Sequence, residues 1–194
     1  YYYKATGNRV NWETPFLGYT INGAWPKEKF LASLRKGEIF GVANGAAEFG
    51  PRALGNRSLF ADPRGELIKD QVNEIKRRQK FRPFAPIVLE EHASDWFEMP
   101  GGKLDSPYMQ FIAKCKRPNE IPAVVHGDGT SRVQTVSASQ HPGLYTLLRE
   151  FYKATGCPMM VNTSLNIKGQ PIVNDMEDAA LFAKHYGVPV HTSD

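Results

Sequence analysis

The stretch Gly45–Arg64 reads G-A-A-E-F-G-P-R-A-L-G-N-R-S-L-F-A-D-P-R. Its glycines and prolines break regular structure, and Arg52, Arg57 and Arg64 crowd into the breaks. Glu48 and Asp62 are its only acids. It follows Glu38–Ala43, a short apolar run that reads as a strand. A strand that runs into a Gly/Pro/Arg loop can surround an anion with backbone N–H groups and guanidinium forks. On this reading the loop binds a nucleotide polyphosphate.

Working outward, Pro26–Lys36 has apolar residues at helical spacing, with Pro26 suited to a first turn and Gly37 to the stop. Residues 1–26 carry many aromatics in no regular period and are expected to be irregular. Glu66–Lys80 reads as an amphipathic helix that places Lys76-Arg77-Arg78-Gln79-Lys80 in its last turn, where the dipole favours cations. The prolines of Phe81-Arg82-Pro83-Phe84-Ala85-Pro86 bar a helix, and Ile87–Leu89 reads as a short or edge strand. Met109–Cys115 and Val133–Val136 read as strands, Pro142–Thr155 as a helix ended by Gly156, Met159–Val161 as a buried strand, and Asp175–Tyr186 as a last helix before Gly187. Helices and strands interleave, so the class is α/β, or α+β with a mixed sheet.

The totals fit one domain of 194 residues with a net charge of +4, which suits an anionic partner. Cys115 and Cys157 have no metal spacing and read as reduced thiols of a cytoplasmic protein. No apolar run approaches a membrane span, and no membrane partner is expected. The chain opens at Tyr1 without Met, which reads as a fragment or a processed piece.

Three polar loops each follow a strand: Gly45–Arg64, Gly127–Arg132 and Asn162–Asn166. Ligands of open α/β sheets sit where strands end in such loops. Together the loops offer Arg52, Arg57, Arg64 and Arg132, with Lys76 and Arg82 from the basic segment. Hydroxyl and amide donors come from Thr130, Ser131, Thr135, Asn162, Thr163, Ser164 and Asn166. Each element also has a plainer reading. Lys76–Lys80 alone is a solvated helix end, and the five histidines are structural or surface groups. Arg82, set between Phe81 and Pro83, is expected to be held in place. Gly50 and Gly55 have the P-loop spacing, but Asn56-Arg57 stands where Lys-Ser/Thr is required, and Pro51 lacks an N–H. Gly127-Asp128-Gly129 lacks the third glycine of a dinucleotide fingerprint. No nucleophile elbow or Cys–His pair is present, so electrostatic catalysis on a phosphoryl group fits best.

Glu48-Phe49-Gly50-Pro51-Arg52-Ala53-Leu54-Gly55-Asn56-Arg57-Ser58 with Ala61-Asp62-Pro63-Arg64 closely resembles the C-terminal domain of O-carbamoyltransferases of the NodU, CmcH and TobZ type. Further matches are Lys76 with Phe81–Pro86, Arg132–Val136, and Gly156-Cys157-Pro158 leading to Asn162–Asn166. Leu165 stands where the family usually has Phe.

The resemblance implies a YrdC-like twisted open sheet with a concave basic face. It implies that carbamoyl phosphate and ATP, with Mg²⁺ carried by the nucleotide, are made into carbamoyl-adenylate. An N-terminal sugar-kinase-like domain of the same enzyme would then move the carbamoyl group to a small-molecule hydroxyl. Iron is expected only in that other domain, and no metal site in this chain. Residues 1–24 would be a linker or the end of the other domain, and 25–194 the carbamoyl-adenylating domain. Mapped by motif, Lys76, Arg82 and Arg132 are the catalytic phosphate and carbamoyl contacts. Arg52 and Arg57 line the same cleft, and Thr135, Asn162, Ser164 and Asn166 complete the binding set. Glu48 and Asp62 either approach the magnesium through water or pair with arginines. A homodimer stays open.

Two other readings stand beside this one. One is a threonylcarbamoyl-adenylate synthase-like enzyme of tRNA modification, against which the Gly-Pro-Arg-Ala-Leu-Gly and Arg-Pro-Phe-Ala-Pro motifs weigh. The other is a non-catalytic RNA-binding module, but no aromatic-plus-basic RNA motif is visible and a nucleic-acid partner is not expected.

Overall fold

A computed structural model describes residues 14–50, 52–102 and 105–193. The readings on residues 1–13 and on Pro51 lie outside the described residues. The element order is β1 (Phe16–Ile21), α1 (Lys27–Arg35), β2 (Phe40–Ala43), β3 (Gly45–Glu48), β4 (Arg57–Ala61), α2 (Ile68–Ile75), β5 (Ala85–Leu89), α3 (Ala93–Trp96), β6 (Phe97–Glu98), β7 (Phe111–Cys115), β8 (Thr130–Val136), α4 (Pro142–Thr155), β9 (Met159–Ser164), α5 (Met176–Tyr186) and β10 (Val190–Thr192). Eight strands form one mixed sheet in the order β10-β2-β4-β9-β5-β8-β7-β6, and β1 pairs with β3 in a separate antiparallel ribbon. The α/β mixed-sheet expectation holds.

The helices obey their local signals. Helix α4 starts at Pro142, whose missing N–H costs nothing in a first turn, and ends at Gly156 with φ 72°. It buries Leu144, Leu147, Leu148 and Phe151 at helical spacing. Helix α5 is capped by Asp175, whose carboxylate accepts the Asp178 N–H. These helices and α1 cover the sheet in two apolar clusters, one centred on Phe40, Phe60 and Met160, the other on Leu59, Leu165 and Phe182. Phe60 and Leu59 are neighbours on β4 and so point to opposite faces of the sheet.

Four expectations need correcting. Gly45–Arg64 is not one loop: it contains β3 and β4 joined by a turn, and β4 is a wholly buried inner strand. Its leading Arg57 hid it. Phe16–Ile21 is a strand, hidden because the ribbon leaves residues 17–20 exposed and so imposes no alternation. Strand β5 lies inside the sheet between β9 and β8. It tolerates Pro86 because its register with β8 begins only at Ile87. Helix α2 ends at Ile75, and Arg77 turns the chain with φ 51°, so the basic run lies past the helix. Strand β10 pairs in parallel with β2 and had no sequence signal, being three residues long. Among the described residues no helix is long and apolar enough to cross a membrane.

The register sets the geometry of the site. Ile87 on β5 faces both Gln134 on β8 and Met160 on β9. Two residues further along their strands, Arg132 and Asn162 therefore lie on that same face. Ile112 on β7 pairs with Arg132 and joins them.

Candidate functional site

The 49–56 turn is held down on this face by polar side chains. Glu48 Oε1 accepts the N–H groups of Leu54 and Asn56 at 2.7 Å and of Arg57 at 3.2 Å. Burial pushes the Glu48 carboxyl up, and these N–H groups oppose the shift. Asn162 Nδ2 donates to Ala53 O at 3.0 Å and to Gln134 Oε1 at 2.6 Å, and Gln134 Nε2 donates to Leu54 O at 3.2 Å. His141 Nδ1 accepts the Leu144 N–H, so Nε2 carries the proton and donates to Asn56 Oδ1 at 2.8 Å. Burial holds this imidazole neutral, with a pKa pushed down to about 4. Gly55 has φ 132°, and a Cβ there would meet Leu144 Cδ2 at 2.6 Å, so the turn needs glycine at this point. The turn enters a strand and not a helix, so no helix-start phosphate cradle exists here.

Beside the turn lies a cavity of about 540 Å³, a size that suits a small-molecule ligand. Arg52 and Ala53 line it from the turn, Arg132 from β8, Asn162 and Ser164 from β9, and Lys76, Arg78 and Arg82 from the basic segment. Asn166 and Lys168 close the far side. Among the described residues no Asp or Glu lines it. The cations are therefore mutually uncompensated. Burial with Arg82 and Arg132 nearby pushes Arg78 down to about 10, and burial with Arg78 and Arg82 pushes Lys76 down to about 7. Burial and Arg52 likewise lower Arg132. Two buried polar atoms at this wall, Arg132 Nε and Asn162 Oδ1, have no hydrogen-bond partner among the described residues. A polyanion with donor and acceptor groups would relieve both deficits.

The structure thus brings Arg52, Lys76, Arg82, Arg132, Asn162, Ser164 and Asn166 together. Lys76 has a second task. Its Nζ donates to Ser164 O at 2.6 Å, Asn166 O at 2.8 Å and Asn166 Oδ1 at 3.0 Å. These acceptors favour the ammonium and oppose the lowered pKa, and they fix the 164–166 turn against the basic segment. Ser164 Oγ completes the knot by donating to Asn166 Oδ1 at 2.7 Å.

Two expected site residues are elsewhere. Arg57 does not line the cavity. Its side chain is wholly buried and donates to the carbonyls of Tyr19, Asn44, Gly45, Asn56 and Asn174. At the start of an inner strand its guanidinium meets loop carbonyls on all sides, so it staples β1 and the 174 segment to β4. Thr135 is buried outside the cavity, and its Oγ1 accepts the Ser106 N–H at 2.7 Å. Neighbouring strand residues face opposite ways, so Thr135 cannot join Arg132 and Gln134. Arg64 is paired with Asp62 at 2.6 Å and leaves the anion set too. Glu48 takes backbone N–H groups in place of an arginine side chain. Arg82 is exposed between exposed Phe81 and Pro83, so its side chain is not packed by those neighbours; Asn73 holds its carbonyl.

Sequence reasoning missed Arg78, Lys168 and His126, all of which line the cavity. Arg78 was masked by its charge run. Its Nε donates to Asn73 Oδ1 at 2.6 Å and its guanidinium lies 4.4 Å from the Phe84 ring centroid. His126 gave a signal in its position one residue before the Gly127–Gly129 loop.

Residues 31–190 match the family described as Carbamoyltransferase C-terminus. The chain is 44% identical over 149 residues to Nodulation protein NolO of Bradyrhizobium diazoefficiens, covering 75% of this chain and 27% of that protein. It is 36% identical over 161 residues to the 3'-hydroxymethylcephem-O-carbamoyltransferase of Amycolatopsis lactamdurans, covering 83% of this chain and 30% of that one. The chain therefore spans less than a third of the length of these relatives. The crystal structure of full-length HypF in the phosphate- and nucleotide-bound form shares the fold, with a TM-score of 0.59 and 18% identity over 88% of this chain and 21% of that one. With its matched segment covering most of the chain, this protein belongs to the carbamoyltransferase family and represents its C-terminal part.

Proposed function

We propose that this chain activates carbamoyl phosphate with ATP and one water, forming carbamoyl-adenylate and releasing phosphate and pyrophosphate, as the activating part of an O-carbamoyltransferase. The observation that carries the reading is the cavity itself: among the described residues six lysines and arginines line it and no carboxylate does. Negative charge that gathers on the α-phosphoryl group and the leaving pyrophosphate meets donors already in place, which lowers the barrier without reorganisation. Arg132, with its unpaired Nε, and Arg82 are the direct contacts, and Arg52 flanks them. Lys76 binds and also sets the position of Ser164 and Asn166. Magnesium would arrive with the nucleotide and be held by its phosphates and water. Its charge would further offset that of the phosphates. Among the described residues no cluster of three His, Cys, Asp or Glu forms a metal site.

ATP–pyrophosphate exchange tests the proposal. Exchange is expected with carbamoyl phosphate and ATP together and not with ATP alone. Exchange driven only by threonine with bicarbonate would replace this reading with that of a threonylcarbamoyl-adenylate synthase. Salt-sensitive RNA binding without any exchange would replace it with an RNA-binding module.

A further inference from the structure

His126 lines the cavity beside Arg132, and its ring tautomer can be read from its neighbours. The exposed Asp128 carboxylate is held below its ordinary range by hydrogen bonds from Thr130, so it is ionised at neutral pH and can only accept. The single Thr130 hydroxyl proton is therefore spent on Asp128 Oδ1, at 2.7 Å. The Thr130 N–H goes to the same oxygen at 3.0 Å. His126 Nδ1 lies 3.1 Å from Thr130 Oγ1, and with that hydroxyl already donating, Nδ1 must carry the hydrogen. Backbone bonds from His126 N–H to Thr130 O and from Gly129 N–H to His126 O close the turn and fix the ring. Nε2 is left as a lone-pair acceptor on a side chain that borders the cavity. The charged groups that act on the ring are Asp128 in its own turn, Arg132 on β8 and Lys69 on α2. Burial and the two cations keep the ring neutral at pH 7, against the pull of Asp128.

This inference rests on the proposed function, and atom balance supplies its chemistry. Carbamoyl phosphate and ATP yield carbamoyl-adenylate, phosphate and pyrophosphate only if one water is consumed. We infer that His126 Nε2 accepts the proton of that water as it attacks the carbamoyl carbon. The water oxygen forms the new bond to carbon. The bond from carbon to the bridging oxygen breaks, and its electron pair leaves with phosphate. One water proton goes to Nε2 and the other is lost as carbamic acid ionises to carbamate. Carbamate oxygen then attacks the α-phosphorus of ATP and pyrophosphate leaves, a step that needs no base.

The two steps can be separated with His126→Asn. Asparagine offers an amide N–H where Nδ1 sits, which keeps the bond to Thr130, and has nothing at Nε2. Phosphate release from carbamoyl phosphate in the presence of ATP is expected to fall by about 100-fold or more. The acid limb of its pH profile, where wild type loses the neutral imidazole, is expected to vanish. Pyrophosphate exchange driven by ammonium carbamate, which skips the water step, is expected to stay near the wild-type rate. Phosphate release at the wild-type rate with the same acid limb would overturn the inference, and so would equal losses in both assays, the mark of a structural role. Wild-type protein that releases no phosphate from carbamoyl phosphate with ATP would overturn the proposed function, and the water step with it.

Discussion

Replacing Arg57 with lysine separates a buried staple from a ligand contact. Arg57 satisfies five carbonyls in four segments of chain. Lysine keeps the charge but has three donors on one nitrogen, so at least two carbonyls lose their bond. One of them, that of Asn56, keeps the Asn44 N–H at 3.1 Å. A further carbonyl then loses its donor, at about 1–3 kcal/mol if it is the buried one of Asn44, and charge-assisted bonds are lost besides. The expected destabilisation is roughly 2–5 kcal/mol. For a domain of this size each kcal/mol lowers the melting temperature by about 2–4 °C. Urea unfolding gives the free energy, and pyrophosphate titration of the folded variant gives the affinity. The variant should lose stability and, while folded, retain its affinity. Unchanged stability with lost affinity would refute the staple and return Arg57 to the cleft.

Other perturbations follow from the same geometry. Arg132→Ala should lower turnover by roughly 2.7–4 kcal/mol of barrier while leaving the unfolding midpoint nearly unchanged; a kcat/KM comparison with a melting curve checks both. Burial and the nearby Arg78 and Arg82 lower the Lys76 pKa to about 7 from an ordinary 10.5, so a bound polyanion should raise it and draw in a proton at slightly alkaline pH. Calorimetry of pyrophosphate binding at pH 8 in buffers of different ionisation enthalpy should register that uptake, and Lys76→Met should abolish it. The same depressed pKa makes the Lys76 contribution to stability rise with pH from about 7 to 10.5, because over that window the unfolded chain binds the extra proton. Gly55→Ala should cost about 1–3 kcal/mol from backbone strain alone, with the contact at Leu144 adding to it, as measured by urea unfolding.

The sequence by itself determined the helices with local start and stop signals, α4 between Pro142 and Gly156 and α5 behind Asp175. It also determined the donor chemistry, because the residue types of the basic and polar segments are local facts. Tertiary structure decided which donors face the ligand. Arg52 and Arg57 are five residues apart in one motif, yet one lines the cavity and the other is sealed inside, since Arg57 begins a strand with neighbours on both sides. Arg132 and Thr135 belong to one motif and part company by strand alternation. Arg78 was hidden in a run that by itself reads as a solvated helix end, until the chain past α2 brought it to the cavity and set Lys76 on the Ser164 carbonyl. Strand register and the set of carbonyls around a guanidinium are long-range properties. The stretch Gly45–Arg64 could name an anion site, but only pairing across the sheet assigned Arg52 to the ligand and Arg57 to the frame.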